Sequence, residues 1–153
     1  MINVEVVSEE INWSKKIYKK EFFFQSICNL FPKKYQFKNK KIFFTLLLSN
    51  NRGIKKLNKK FRNKNKATDI LSFPLNKKTK LKNKSYLGDI AISYNFMDKP
   101  KNQEKKLFND KVIKVFIHGF LHLLGFDHIK LKDYKKMLKE EKKIYQSVIK
   151  KIY

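Results

Sequence analysis

Three histidines fall within eleven residues, in the run His118-Gly-Phe-Leu-His122-Leu-Leu-Gly125-Phe-Asp127-His128, and the chain has no other histidine. Residues four apart lie on one helix face, so His118 and His122 can offer two imidazoles to a single ion. Gly125 comes next, and glycine accepts the left-handed backbone that ends helices. That turn can bring His128 back as a third ligand. Three neutral imidazoles at about 2.0–2.1 Å, with a fourth position open to water, is the layout of a catalytic zinc rather than a closed structural one. Imidazole serves several transition metals, but an open three-histidine set in a redox-quiet chain favours zinc.

The spacing also matches the H-E-x-x-H-x-x-G-x-x-H motif of metzincin proteases, with one difference. The glutamate that serves those enzymes as general base is replaced by Gly119. The ligand set is retained and the peptidase base is gone, which directs a metal-bound water to other chemistry. Asp127 reads two ways: a carboxylate accepting a ligand's ring N–H, or a turn-capping aspartate. A second polar cluster lies upstream, in Leu57-Asn-Lys-Lys-Phe-Arg62-Asn-Lys-Asn-Lys-Ala-Thr68-Asp69-Ile-Leu-Ser72-Phe73-Pro74. Arg62 sits at a helix exit, and a guanidinium can fork two donors onto one phosphate where an ammonium cannot.

These residues need elements to hold them. Alternation over residues 2–7 predicts a strand. A helix is expected from Asn12 or Ser14 as cap to about residue 29, with Trp13, Ile17, Phe23, Phe24 and Ile27 inward. Residues 41–49 form a second strand whose apolar centre at 43–48 suggests burial on both faces. A short helix from Asn51 to about residue 61 carries Ile54, Leu57 and Phe61. Basic loop 62–66, strand 70–73 stopped by Pro74, and lysine-rich loop 76–84 follow. Strand 86–93 contains Gly88-Asp89. Helix 103–124 bears the first two histidines, and helix 132–152 closes the chain. Strands separated by helices make an α+β domain, a small mixed sheet with helices packed on it, and the length of 153 residues fits one domain spanning 1–153.

The net charge of +24 favours a polyanionic partner. Two plainer readings stand beside it: lysine-rich coding by A/T-rich codons, and lysine runs that form solvated helix faces. Cys28 is the only cysteine, so no intramolecular disulfide is possible; its plain reading is a small core residue on a helix. The cysteine count fits a reducing compartment. No basic n-region opens the chain and no apolar stretch reaches membrane-span length, so a cytoplasmic protein without a membrane partner is expected.

Taken in order, residues 57–74, Gly88-Asp89-Ile90 and the histidine run resemble L-N-x-x-[FY]-R-x-K-x-x-x-T-D-[IV]-L-S-F-P, G-D-I and H-G-x-L-H-L-x-G-x-D-H of the YbeY family of bacterial rRNA-maturation endoribonucleases. The resemblance covers the C-terminal two-thirds of the chain. It implies an α+β fold and one zinc at His118, His122 and His128. It further implies cleavage of single-stranded RNA, maturation of the small-subunit (16S) rRNA 3′ end and a part in ribosome quality control. Arg62 matches the family's functional arginine on the substrate side of the zinc cleft; with His118 it is the catalytic candidate. The rivals are a metallopeptidase-like hydrolase and a non-catalytic ribosome assembly factor with a structural zinc.

Overall fold

In the computed structural model, which describes residues 1–76 and 81–152, four strands form one sheet. They are β1 (Ile2–Ser8), β2 (Lys41–Ser49), β3 (Ile70–Pro74) and β4 (Lys84–Ser93), in the order β1-β2-β4-β3. β1 runs parallel to β2 and β2 parallel to β4, while β3 pairs antiparallel with β4. The sheet is mixed and the fold α+β, as the alternation of strands and helices predicts. Positions 77–80 of the expected lysine-rich loop lie outside the described residues.

Helices α1 (Asn12–Lys16), α2 (Lys20–Asn29), α3 (Asn51–Arg62), α4 (Tyr94–Met97), α5 (Lys105–Leu123) and α6 (Leu131–Ile152) complete the chain, with a 3-10 turn at Lys33–Tyr35. The main core joins Phe24 of α2, Phe44 and Leu46 of β2, Ile90 and Ile92 of β4, Phe116 and Phe120 of α5, and Ile144 of α6. Its rings meet edge-on or tilted, as for Phe44 with Phe116 at 5.8 Å and with Phe120 at 5.7 Å. Such arrangements suit the ring quadrupoles. On the other sheet face, Ile54 of α3 packs with Leu71 and Ala91, and Leu47, Leu57 and Phe73 are only partly covered. β2 is therefore not buried on both faces. Its residues alternate, Ile42, Phe44, Leu46 and Leu48 buried against Phe43, Thr45 and Leu47 half-buried, because the short α3 covers only part of that side.

The single helix expected from residue 12 to 29 is two. Ile17 is extended at φ −126°, ψ 98° and breaks the run. The apolar spacing alone would allow a continuous helix, but the two pieces have different seats. Trp13 of α1 is buried and donates its indole N–H to the Ser49 carbonyl at 2.9 Å, at the end of β2. α2 instead packs along β1, where Gln25 accepts from the Val4 amide and donates to the Ile2 carbonyl. The expected Asn12 or Ser14 cap is also replaced: the Glu10 carboxylate accepts the Asn12 backbone N–H at 3.1 Å.

α5 lies against β3 and β4 at its C-terminal half, and Gly119 lets it approach. A Cβ at Gly119 would stand 2.6 Å from Ile70 Cδ1 and 3.2 Å from Ile90 Cγ2. The Gly119 carbonyl accepts the Ser72 hydroxyl at 3.2 Å. Helix and edge strand are thereby fixed side by side, which sets the histidines of α5 across from residues 62–74.

Candidate metal centre and its cleft

His118 and His122 occupy the last turns of α5, and the helix ends just beyond them. Gly125 adopts φ +97°, its amide donates to His122 O at 3.0 Å, and the Phe126 amide donates to Leu121 O at 3.1 Å. This pair of bonds is the Schellman ending, which requires a left-handed residue at the glycine position. The turn redirects the chain so that His128 faces back toward α5. The His128 ring stacks on His118 at 5.4 Å and meets His122 edge-on at 4.9 Å.

The three histidines each present one ring nitrogen, and these atoms all lie within 4.8 Å of one another. The Nε2 atoms of His118 and His122 are 3.1 Å apart. A tetrahedral ion with bonds of about 2.0–2.1 Å separates its ligand atoms by about 3.3 Å, so the pair is set near that spacing. The outer nitrogens are occupied. His118 Nδ1–H donates to the Glu141 carboxylate on α6, and His122 Nδ1–H donates to the Phe126 carbonyl at 2.9 Å. Each bond fixes the tautomer that leaves Nε2 free as a ligand. Burial holds His122 below the usual imidazole range, and the neighbouring His118 adds to this, outweighing the Phe126 carbonyl that pulls the other way. The ring is thus neutral near pH 7, as a metal ligand must be. The three-histidine donor set could hold a metal ion.

The histidines open onto a cleft of about 770 Å³ whose opposite wall includes Arg62, Lys64, Thr68, Asp69 and Ser72. α3 ends at Arg62, and Asn63 beyond it is left-handed at φ 55°, a conformation asparagine tolerates better than most residues. One guanidinium nitrogen of Arg62 donates to Ser72 O at 2.8 Å, and the group lies 5.5 Å over the Phe73 ring. Asp69 ties the start of β3 in place by accepting the Thr68 hydroxyl at 3.2 Å and the Ile70 amide at 2.8 Å.

The sequence matches the endoribonuclease YbeY family model over residues 3–149. The chain belongs to the YbeY family. A relative from Pelagibacter ubique (strain HTCC1062), named endoribonuclease YbeY, is 62% identical and covers 99% of each chain. One of the same name from Buchnera aphidicola is 39% identical over 90% of this chain and 83% of its own. The solution structure of a Thermotoga maritima protein superposes with a TM-score of 0.57 at 26% identity, covering 97% of this chain and 89% of that one.

In this YbeY-family chain the four residues singled out from sequence, Arg62, His118, His122 and His128, line one cleft. Of the two readings of Asp127, the structure supports the turn: its carboxylate accepts the His128 backbone N–H at 2.7 Å. The ring partners are Glu141 and the Phe126 carbonyl, which sequence reasoning missed. Glu141 did leave a signal. It lies with the buried Glu140 between Met137 and Ile144 on α6, itself half-buried, in a helix otherwise rich in lysine. An acid at such a position needs a partner on the body of the protein.

Proposed function

We propose that this YbeY-family endoribonuclease cleaves single-stranded RNA using one zinc ion held by His118, His122 and His128, with Arg62 and His118 as its catalytic residues. Its substrate in this reading is small-subunit (16S) rRNA. It would mature the 3′ end on the ribosome and take part in ribosome quality control. The observation that carries the proposal is the convergence of two tautomer-fixed Nε2 atoms on one cleft with Arg62. The relatives' shared name supports RNA as the substrate class.

Zinc supplies Lewis acidity toward a water molecule and a phosphoryl oxygen. The chain's residues do the rest. Glu141 and the Phe126 carbonyl hold two of the three imidazoles in orientation, which would limit how far those two must reorganise to hold an ion. Arg62 has one nitrogen anchored on Ser72 and its plane set over Phe73, which limits its rotamers; its remaining N–H donors hold a non-bridging phosphate oxygen as charge builds. Lys64, on the same wall, adds positive potential for the strand. Buried, unpaired Cys28 fits work in the reducing cytoplasm. No helix among the described residues is long and apolar enough to cross a membrane.

A metallopeptidase reading fails at Gly119. The position carries no acid, and a Cβ there would crowd Ile70, Ile90 and Ser72 where α5 meets the sheet. A purely structural zinc is disfavoured because His128 is exposed and the main core is packed from other residues. Removing the ion with a chelator should then abolish activity and leave the fold. The decisive experiment maps 16S rRNA 3′ ends in cells lacking this protein. Extended ends should accumulate and be processed on complementation with wild type but not His122→Ala. Normal ends in the deletion strain would refute the proposed substrate.

A further inference from the structure

Away from the metal cleft, the segment Lys15-Lys16-Ile17-Tyr18-Lys19-Lys20-Glu21-Phe22 interleaves basic and aromatic residues. Ile17 points inward, whereas Tyr18 is 82% exposed and Phe22 72% exposed. Both border a groove of about 390 Å³ between the break after α1, α2, the start of α5 and the end of α6. Lys19 and Lys105 stand on its rim, and both are exposed. Lys16 is committed within the protein, to Asp98 at 3.6 Å and over the Phe108 ring. The exposed acids nearest in sequence are Glu21 and Glu104. Asn109 also lines the groove, and its Oδ1 is buried with no hydrogen-bond partner among the described residues.

We propose that this groove is a second contact surface for single-stranded RNA, on which Tyr18 and Phe22 stack bases while Lys19 and Lys105 meet phosphates. Exposed rings flanked by ammonium groups are how single strands are held without base-specific reading. Lys19 follows Tyr18 directly and Lys105 stands on the same rim, so the exposed rings have positive charge beside them for a phosphate backbone. Asn109 and His122 are thirteen residues apart on α5, or about 20 Å along the helix axis. The groove and the cleft therefore occupy opposite ends of one rigid element, and a strand reaching both would be held on either side of that helix. The inference rests on the reading that this protein acts on RNA.

The test compares wild type, Tyr18→Ala/Phe22→Ala and Lys19→Ala/Lys105→Ala. All four residues are exposed, so the variants should fold, which circular dichroism checks. Binding is measured by anisotropy on a long single-stranded RNA and on a short one that fills only the cleft. Loss of each ring should weaken long-RNA binding about fivefold or more and leave the salt dependence unchanged. Loss of the lysines should flatten the slope of log K against log salt, by about 0.7 for each phosphate no longer neutralised. Short-RNA binding and single-turnover cleavage at saturation should match wild type. An unchanged long-RNA Kd in the aromatic variant overturns the inference, and so does a variant that keeps its RNA affinity but no longer binds an acidic protein. Wild type that binds RNA through these residues yet cleaves none keeps this surface and removes the proposed function. Cleavage by wild type together with long-RNA affinity that is unchanged in both groove variants does the reverse.

Discussion

Replacing Glu141 tests whether the metal centre depends on an orienting carboxylate from a different helix. Glu141 holds the Nδ1–H of His118 and thereby selects the tautomer whose Nε2 faces His122. Removing such a partner typically costs 10–100-fold in metal affinity. Here the side chains of His118 and Glu141 keep 31% and 26% of their exposure, so water can replace part of the missing bond. The lower end applies, and Glu141→Ala should weaken zinc binding about tenfold, or about 1.4 kcal/mol. Glu141→Gln keeps an amide oxygen that can accept Nδ1–H and loses only the charge, so it should fall between wild type and Ala. Zinc affinity is read by competition with a calibrated chelator, after circular dichroism shows the fold intact. Wild-type affinity in Glu141→Ala would refute the idea that this carboxylate prepares the site.

Arg62→Ala should lower single-turnover cleavage of single-stranded RNA about 10²–10³-fold with zinc content unchanged, and Arg62→Lys should restore little of it. Wild-type rates in Arg62→Ala would remove the arginine from the reaction. Gly119→Glu, which would recreate the peptidase pattern, should destabilise the fold by about 3 kcal/mol or more in chemical denaturation, because it forces a carboxylate against Ile70 and Ile90; peptidase activity from a stable variant would contradict this. Burial pushes the Glu140 carboxyl up, but the Tyr35 hydroxyl and the Lys34 ammonium bound to it, with Lys143 nearby, bring it below the usual carboxylate range. Its stabilising contribution is then present above the ordinary carboxylate pKa and is lost as pH falls through the lowered value. Glu140→Gln should remove that part of the acid-side slope of stability, and an identical slope in the variant would count against a stabilising role for the Glu140 charge.

The histidine cluster was legible because it is written in short-range spacing. A four-residue step, a glycine and a six-residue return bring three histidines together with little help from distant chain. The motif that resembles the family singled out Arg62, which lines the same cleft as the histidines, and the mixed sheet was legible through strands separated by helices. Other features depend on contacts far apart in sequence. Nothing near residue 118 announces Glu141, which arrives from twenty-three positions on. The break at Ile17 follows from two different seats, Ser49 at the end of β2 and the flank of β1, and apolar periodicity does not encode that choice. The half-covered face of β2 reflects how little of it α3 spans, which the composition of the strand could not reveal. Asp127 was a choice between a ring and a backbone amide, and the tight turn after Gly125 put the amide within reach.

Glu140 and Glu141 are neighbours on α6 that grip different parts of the protein, one the Tyr35–Lys34 turn and the other His118 of the proposed metal site. If the proposed centre takes its ion, the seating of the last helix and the occupancy of the centre share a free energy. By linkage, whatever affinity the docked helix adds for the ion, the ion returns as resistance of that helix to local opening, by the same factor. The backbone amides of α6 should exchange with solvent more slowly in loaded molecules than in empty ones. The terminal helix is in this sense a gauge of the metal state, and its fraying would be the first sign that the ion has gone.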